Sequence, residues 1–154
     1  MRPIREGPSL LARFVLLLLL SGCGEADQSA ERECRSSDAR GSVLKVFSDD
    51  ENNKLVTYTL KYSSSLEAMM NAAKSETEKV AILESAKKSA VYSLDGTILV
   101  KSRDKAGREV ICIAILSVAV LDTSAEKEIE FSVKQTTDGR PPLVSVSPFL
   151  FKVD

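Results

Sequence analysis

Residues Glu109 to Leu121 read EVICIAILSVAVL, thirteen positions without glycine or proline and rich in branched aliphatic side chains. A period of two puts Val110, Cys112, Ala114, Leu116, Val118 and Val120 on one face, and Ile111, Ile113, Ile115 and Leu121 on the other. A strand that is apolar on both faces belongs at the centre of a sheet. We expect helix over one face and loops or sheet curvature over the other. The alternative is that one end of the strand lines an apolar ligand cavity or forms a partner surface.

Alternation continues on both sides of this stretch. In Glu128 to Gln135, Ile129, Phe131 and Val133 alternate with Glu128, Glu130, Ser132 and Lys134, the pattern of a strand with one wet face. Thr97 to Ser102 and Leu143 to Phe149 complete the expected strands, with the period of two setting in at Tyr92. Asp95-Gly96, Ala106-Gly107 and Asp138-Gly139 mark turns, and short turns imply antiparallel neighbours.

Upstream the period lengthens. Ser64 and Glu67 have capping-box spacing, and Leu66 to Val91 is rich in Ala, Glu, Lys and Met, which predicts a helix. Leu66, Met70, Ala73, Val80, Leu83 and Ala90 form its apolar stripe, with Lys74, Glu78, Lys87 and Lys88 toward water. Ser75 and Glu78 repeat the capping spacing, so one long helix and two in series both fit. Lys54 to Tyr62, with its β-branched and aromatic mixture, suits a strand, with helix as the alternative. Asp38 is placed to cap a short helix carrying Val43, Leu44 and Phe47, which we favour over a strand there.

These elements predict a single α+β domain over residues 34–154, a long helix packed on a curved antiparallel sheet. Cystatin-like and NTF2-like rolls share this order of elements, a similarity of architecture that specifies no function.

The chain opens differently. Arg2 and Arg5 precede an unbroken apolar run, Phe14 to Leu20, and small residues lead to Cys23. A membrane-spanning helix needs about 20 apolar residues, and this run is about half that even when extended back to Leu10. Leu20-Ser21-Gly22-Cys23 resembles the lipobox of bacterial lipoproteins. The resemblance implies diacylglycerol on the Cys23 thiol and removal of residues 1–22 as a signal peptide. It also implies a membrane-anchored envelope lipoprotein carrying palmitate. Gly24 stands where an aspartate would favour retention at the inner membrane, so the expected location is the outer membrane, facing the periplasm. Residues 23–33 would then be a lipidated cysteine and flexible tether, since Gly24 to Glu33 is small, polar and without apolar period.

With Cys23 assigned to lipid, the three cysteines leave Cys34 and Cys112 as a pair. An oxidising envelope favours a disulfide between them. The alternative is that Cys112 is a buried small residue and Cys34 is free. Cys34, Tyr92-Ser93-Leu94, Cys112-Ile113-Ala114-Ile115-Leu116 and Thr136-Thr137-Asp138-Gly139 are similar to segments of small exported proteobacterial proteins, a resemblance that implies no activity.

Composition excludes more than it assigns. The chain has no histidine, which removes Ser-His-Asp and Cys-His catalysis, histidine zinc sites and the usual neutral-pH base. Ser-x-x-Lys occurs at Ser42-Lys45, Ser85-Lys88, Ser102-Lys105 and Ser124-Lys127, without the Lys-Thr-Gly and Ser-Asp-Asn elements that would give one of them meaning. Asp49-Asp50-Glu51-Asn52-Asn53 lacks the glycine and distal glutamate of a calcium loop and reads as a solvated turn. Removing residues 1–22 takes away Arg2, Arg5, Arg13 and Glu6, moving the net charge from −1 to −3. Lysines scattered among acids give no concentrated footprint for nucleic acid.

We therefore expect no enzyme, no cofactor and no metal. The chain reads as a non-catalytic interaction protein: an inhibitor, an immunity protein or an accessory subunit with an envelope protein partner. The alternative is a carrier or sensor of a small apolar ligand in the periplasm.

Overall fold

The computed structural model describes residues 25–136 and 140–147, with side chains from Gln28 onward. The leader, Cys23, the Asp138-Gly139 turn and the end of the expected last strand lie outside these residues. Five helices precede five strands: α1 (Glu25–Arg35), α2 (Ser37–Ser48), α3 (Lys54–Leu60), α4 (Ser64–Ala72), α5 (Glu76–Lys88), β1 (Val91–Leu94), β2 (Leu99–Arg103), β3 (Glu109–Val120), β4 (Thr123–Lys134) and β5 (Leu143–Val146). The α+β class, with helices packed on a curved antiparallel sheet, is as the alternation of residues predicts.

β3 is the spine of that sheet. Along one edge it pairs with β1 through Leu116 to Ala119 and with β2 through Val110 to Ile113. Along the other it pairs with β4 over its whole length, and β5 closes that side against Phe131 to Lys134. β2 has an irregularity between Val100 and Ser102, leaving Lys101 as the extra residue of a bulge. The sheet curls: α2 packs on both β1 and β5, elements at opposite margins. Arg40 of α2 donates to the carbonyls of Leu94 and Asp95, fixing the helix to the β1 margin.

The inward face of β3 is the core. Val110, Cys112, Ala114, Leu116, Val118 and Val120 are 0–2% exposed, joined by Ile129, Phe131 and Val133 from β4. The helices contribute Ala39, Val43, Leu55, Val56 and Leu60. The concave side is thus filled by α1, α2 and α3. The 64–91 region, expected as the helix that the sheet wraps, forms α4 and α5, which pack on each other, with α5 against α3.

Four of the helices begin on a side-chain cap. Ser36, Asn53, Ser63 and Ser75 accept backbone N–H groups of the first turns of α2, α3, α4 and α5. Asp38 therefore lies inside α2 and is not its cap, and Ser63, not Ser64, caps α4. Asn53 decides the fate of Lys54 to Tyr62, where a strand was expected. Its buried Oδ1 accepts from Leu55 N and Val56 N, and its Nδ2 donates to the Phe47 carbonyl at 3.0 Å. Leu55, Val56, Thr59 and Leu60 then fall on one buried helical face, and tertiary packing overrides the β preference of these residues.

Between α4 and α5 the chain breaks at Ala73 to Ser75. Ser75 Oγ accepts from Glu78 N while the Glu78 carboxylate accepts from Lys74 N, reciprocal capping that restarts the helix. The restart shifts the helical phase, so Val80, placed in the apolar stripe by a continuous reading, is 60% exposed.

The expected tether is corrected from residue 25 onward. Glu25–Arg35 is a helix, and Ala30 and Cys34 are buried. Cys34 is bonded to Cys112 by a disulfide spanning 78 residues, so α1 lies on the inward face of β3. Glu33 accepts from Arg103 at 2.8 Å, a partly buried ion pair in which Glu33 Oε2 has no hydrogen-bond partner among the described residues. A polar segment with few apolar residues docks here because covalent and ionic links supply what hydrophobic area does not.

Candidate functional site

The outward face of the sheet is where the doubly apolar strand leaves a question. Register sets Ile111, Ile113 and Ile115 opposite Ser132, Glu130 and Glu128 of β4, and Leu99 of β2 opposite Ile113 on the other side. The isoleucines are half-buried and Leu99 is 57% exposed, in contrast to the sealed inward positions one residue away. Loops or curvature were expected over this face; the isoleucines are half-buried, so the cover is partial among the described residues, and Leu99 is the exposed member of a short apolar ridge.

The ridge has a charged border. Glu126, Glu128 and Glu130 run beside it on β4, Glu126 accepts from Ser117 Oγ at 3.0 Å, and Lys101 from the β2 bulge bridges to Glu130. An apolar centre with a polar rim is the general anatomy of a protein interface. The sequence carries this signal in the second isoleucine register of β3; what it lacks is whether anything covers that register.

Three other places have chemistry to consider. A groove of about 560 Å³ is lined by Asp49, Asp50, Glu51, Glu84, Lys87 and Tyr92 among others. Burial raises the Tyr92 phenol above its ordinary pKa, the Asp50 charge adds to this, and the hydrogen bond from Asn53 opposes it. Two acids of this loop are engaged locally: Asp49 pairs with Lys45, and Asp50 accepts from Asn52 N. Among the described residues there is no group of three or more acids and cysteines disposed to hold a metal ion.

A second groove, of about 370 Å³, lies between α4, α5 and the β3–β4 turn and is lined mainly by Met69, Ala81, Ile82, Ala86 and Leu121. Leu121 opens the two-residue connection from Val120 to Thr123 with φ of 54°, the left-handed region that an L-residue with a bulky side chain rarely occupies. The residue beside it, Asp122, accepts from Ser63 Oγ and Ser64 Oγ at 2.5 Å each and from Ser65 N at 3.2 Å. These bonds hold its carboxyl well below the usual carboxylate range and tie the hairpin tip to the start of α4.

The third place is the cysteine pair. The disulfide leaves neither Cys34 nor Cys112 as a thiol, so both stand as structural links and not as nucleophiles. Cys23, the expected lipidation site, lies outside the described residues. No helix among the described residues is long and apolar enough to cross a membrane. No protein family, characterised protein or solved structure matches this chain.

Proposed function

We propose that this protein is a non-catalytic interaction module, held at a bacterial envelope membrane by lipid on Cys23, that offers the outward face of its sheet to a protein partner. The observation that carries the reading is the ridge of half-buried Ile111, Ile113 and Ile115 with exposed Leu99 and its glutamate border. Exposing branched aliphatic side chains to water is unfavourable by roughly 25 cal/mol per Å², and a partner surface recovers that energy. The absence of histidine and the closed cysteine pair support a binding role over catalysis.

The reading is tested by co-purification from detergent-solubilised envelope. Ile113→Lys removes apolar contact from the ridge and sets an ammonium opposite Glu130, so the fold is expected to keep its stability within about 1 kcal/mol. Wild type should retain a stoichiometric partner that the variant loses. Equal recovery by both, with the variant folded, overturns the outward face as the binding surface. The anchor has its own test: Cys23→Ser should abolish palmitate labelling, and normal labelling of that variant removes the lipid from the proposal.

A ligand-carrier role is favoured by one feature, the apolar groove at Met69, Ile82 and Leu121. A ligand would sit there and not between helices and sheet, where the inward side chains of β3 fill the space.

A further inference from the structure

We infer that the domain stands end-on at the bilayer, with the β2–β3 turn and the adjoining end of β4 against the lipid headgroups. The inference rests on the lipidation of Cys23 proposed above. Only Gly24 separates Cys23 from the first residue of α1, and two residues reach at most about 7 Å. The end of the domain from which α1 starts is therefore the end that the anchor holds down.

Contacts along α1 identify that end. Arg35, at its last turn, donates to the carbonyl of Ile98, just before β2 begins. One residue back, Cys34 is bonded to Cys112, opposite Val100 in the middle of β2. Glu33 pairs with Arg103, the last residue of β2. α1 thus runs antiparallel to β2, and its start points toward the β2–β3 turn. The β3–β4 tip, Leu121-Asp122, is at the far end of the sheet.

The anchored end is suited to headgroups. Lys105, Arg108, Lys134 and Arg140 are exposed there, and the last three line one groove with Asp104 and Glu109. Asp104 is turned inward on its own turn, accepting from Arg108 N and Glu109 N. The cations supply contact to lipid phosphates while the short connection sets the orientation. Held this way, the ridge of Ile111, Ile113 and Ile115 faces sideways, open to a partner alongside in the same envelope.

The test uses the acylated mature protein reconstituted in vesicles of about three parts phosphatidylcholine to one part phosphatidylglycerol, with headgroup nitroxide as quencher. Ala106→Cys in the β2–β3 turn and Ser124→Cys near the opposite tip each add one thiol for a fluorophore. Quenching at 106 should exceed that at 124 by about threefold or more, since the two ends are separated by a length of β-strand. Equal quenching, or more at 124, overturns the end-on orientation. Inserting ten Gly/Ser residues after Gly24 should lower the ratio while leaving acylation and fold intact; an unchanged ratio would overturn the role of the short connection. The acyl mass of the same sample is measured separately: protein without it contradicts the lipidation of Cys23, whereas acylated protein with equal quenching contradicts only the orientation.

Discussion

At Leu121 the backbone takes a conformation that costs most L-residues roughly 1–2 kcal/mol. Asparagine tolerates this region because its short polar side chain bonds locally. Leu121→Asn is expected to raise stability by about 0.5–1 kcal/mol, read as a higher denaturant midpoint at unchanged slope. A lower midpoint would mean that contacts of Leu121 in the Met69 and Ile82 groove outweigh the strain. The turn was not legible in the sequence because Leu-Asp carries none of the Gly or Asn chemistry of two-residue hairpins; the apolar leucine reads as one more strand residue.

Asp122 has a pH signature. Its folded pKa is depressed by the Ser63 and Ser64 hydroxyls first and the Ser65 N–H after them. A depressed acid contributes stability that is fully present above its unfolded pKa and is lost as pH falls toward the folded value. Stability of the wild type should therefore decline below about pH 4, and Asp122→Asn should show a shallower decline, the two curves converging in strong acid. Parallel curves would show that Asp122 is not responsible. Asp104 and Glu84, also depressed, by backbone N–H groups led by that of Glu109 and by Lys87 respectively, account for the decline that the variant keeps.

Among the elements, α3 shows how one polar side chain selects between two local structures. Asn53→Ala removes the acceptor for two buried N–H groups and the donor to Phe47, and is expected to cost about 2–3 kcal/mol with loss of helical signal. A cost below about 0.5 kcal/mol would mean that packing of Leu55 and Leu60 alone holds the helix. The Asp-Asp-Glu-Asn-Asn run suggested only a solvated turn, because whether an asparagine is buried depends on residues far along the chain, here Phe47 and Tyr92. The strands were readable for the opposite reason: alternation in β3 and β4 is a local pattern that burial on one face imposes directly.

α1 is the element for which composition misled. Its sequence lacks an apolar stripe, and its docking depends on Cys112 and Arg103, distant positions that no local period reveals. Closing a loop of this length disfavours the unfolded chain by roughly 4–5 kcal/mol in the entropic account. Replacing both cysteines by alanine should lower unfolding free energy by about that amount and free α1 to unwind, so that trypsin cuts faster at Arg32 and Arg35. An unchanged cleavage rate at those arginines would show that Glu33 and Ala30 hold α1 without the bridge.

For the whole molecule, the proposed binding role rests on the contrast between a sealed concave face and a convex one that carries half-buried isoleucines and exposed Leu99. The sequence announced two apolar faces on β3 and could not say which would be left open, because cover is a property of the assembled domain. With helices on one side and a half-buried isoleucine ridge on the other, the proposed partner surface is the side that the described helices leave open. The most direct test is photocrosslinking in living cells, with a photoreactive residue at position 113 on the ridge or at position 80 on the exposed face of α5. The account predicts one discrete crosslinked partner from position 113 and none from position 80; crosslinks from position 80 alone would contradict it.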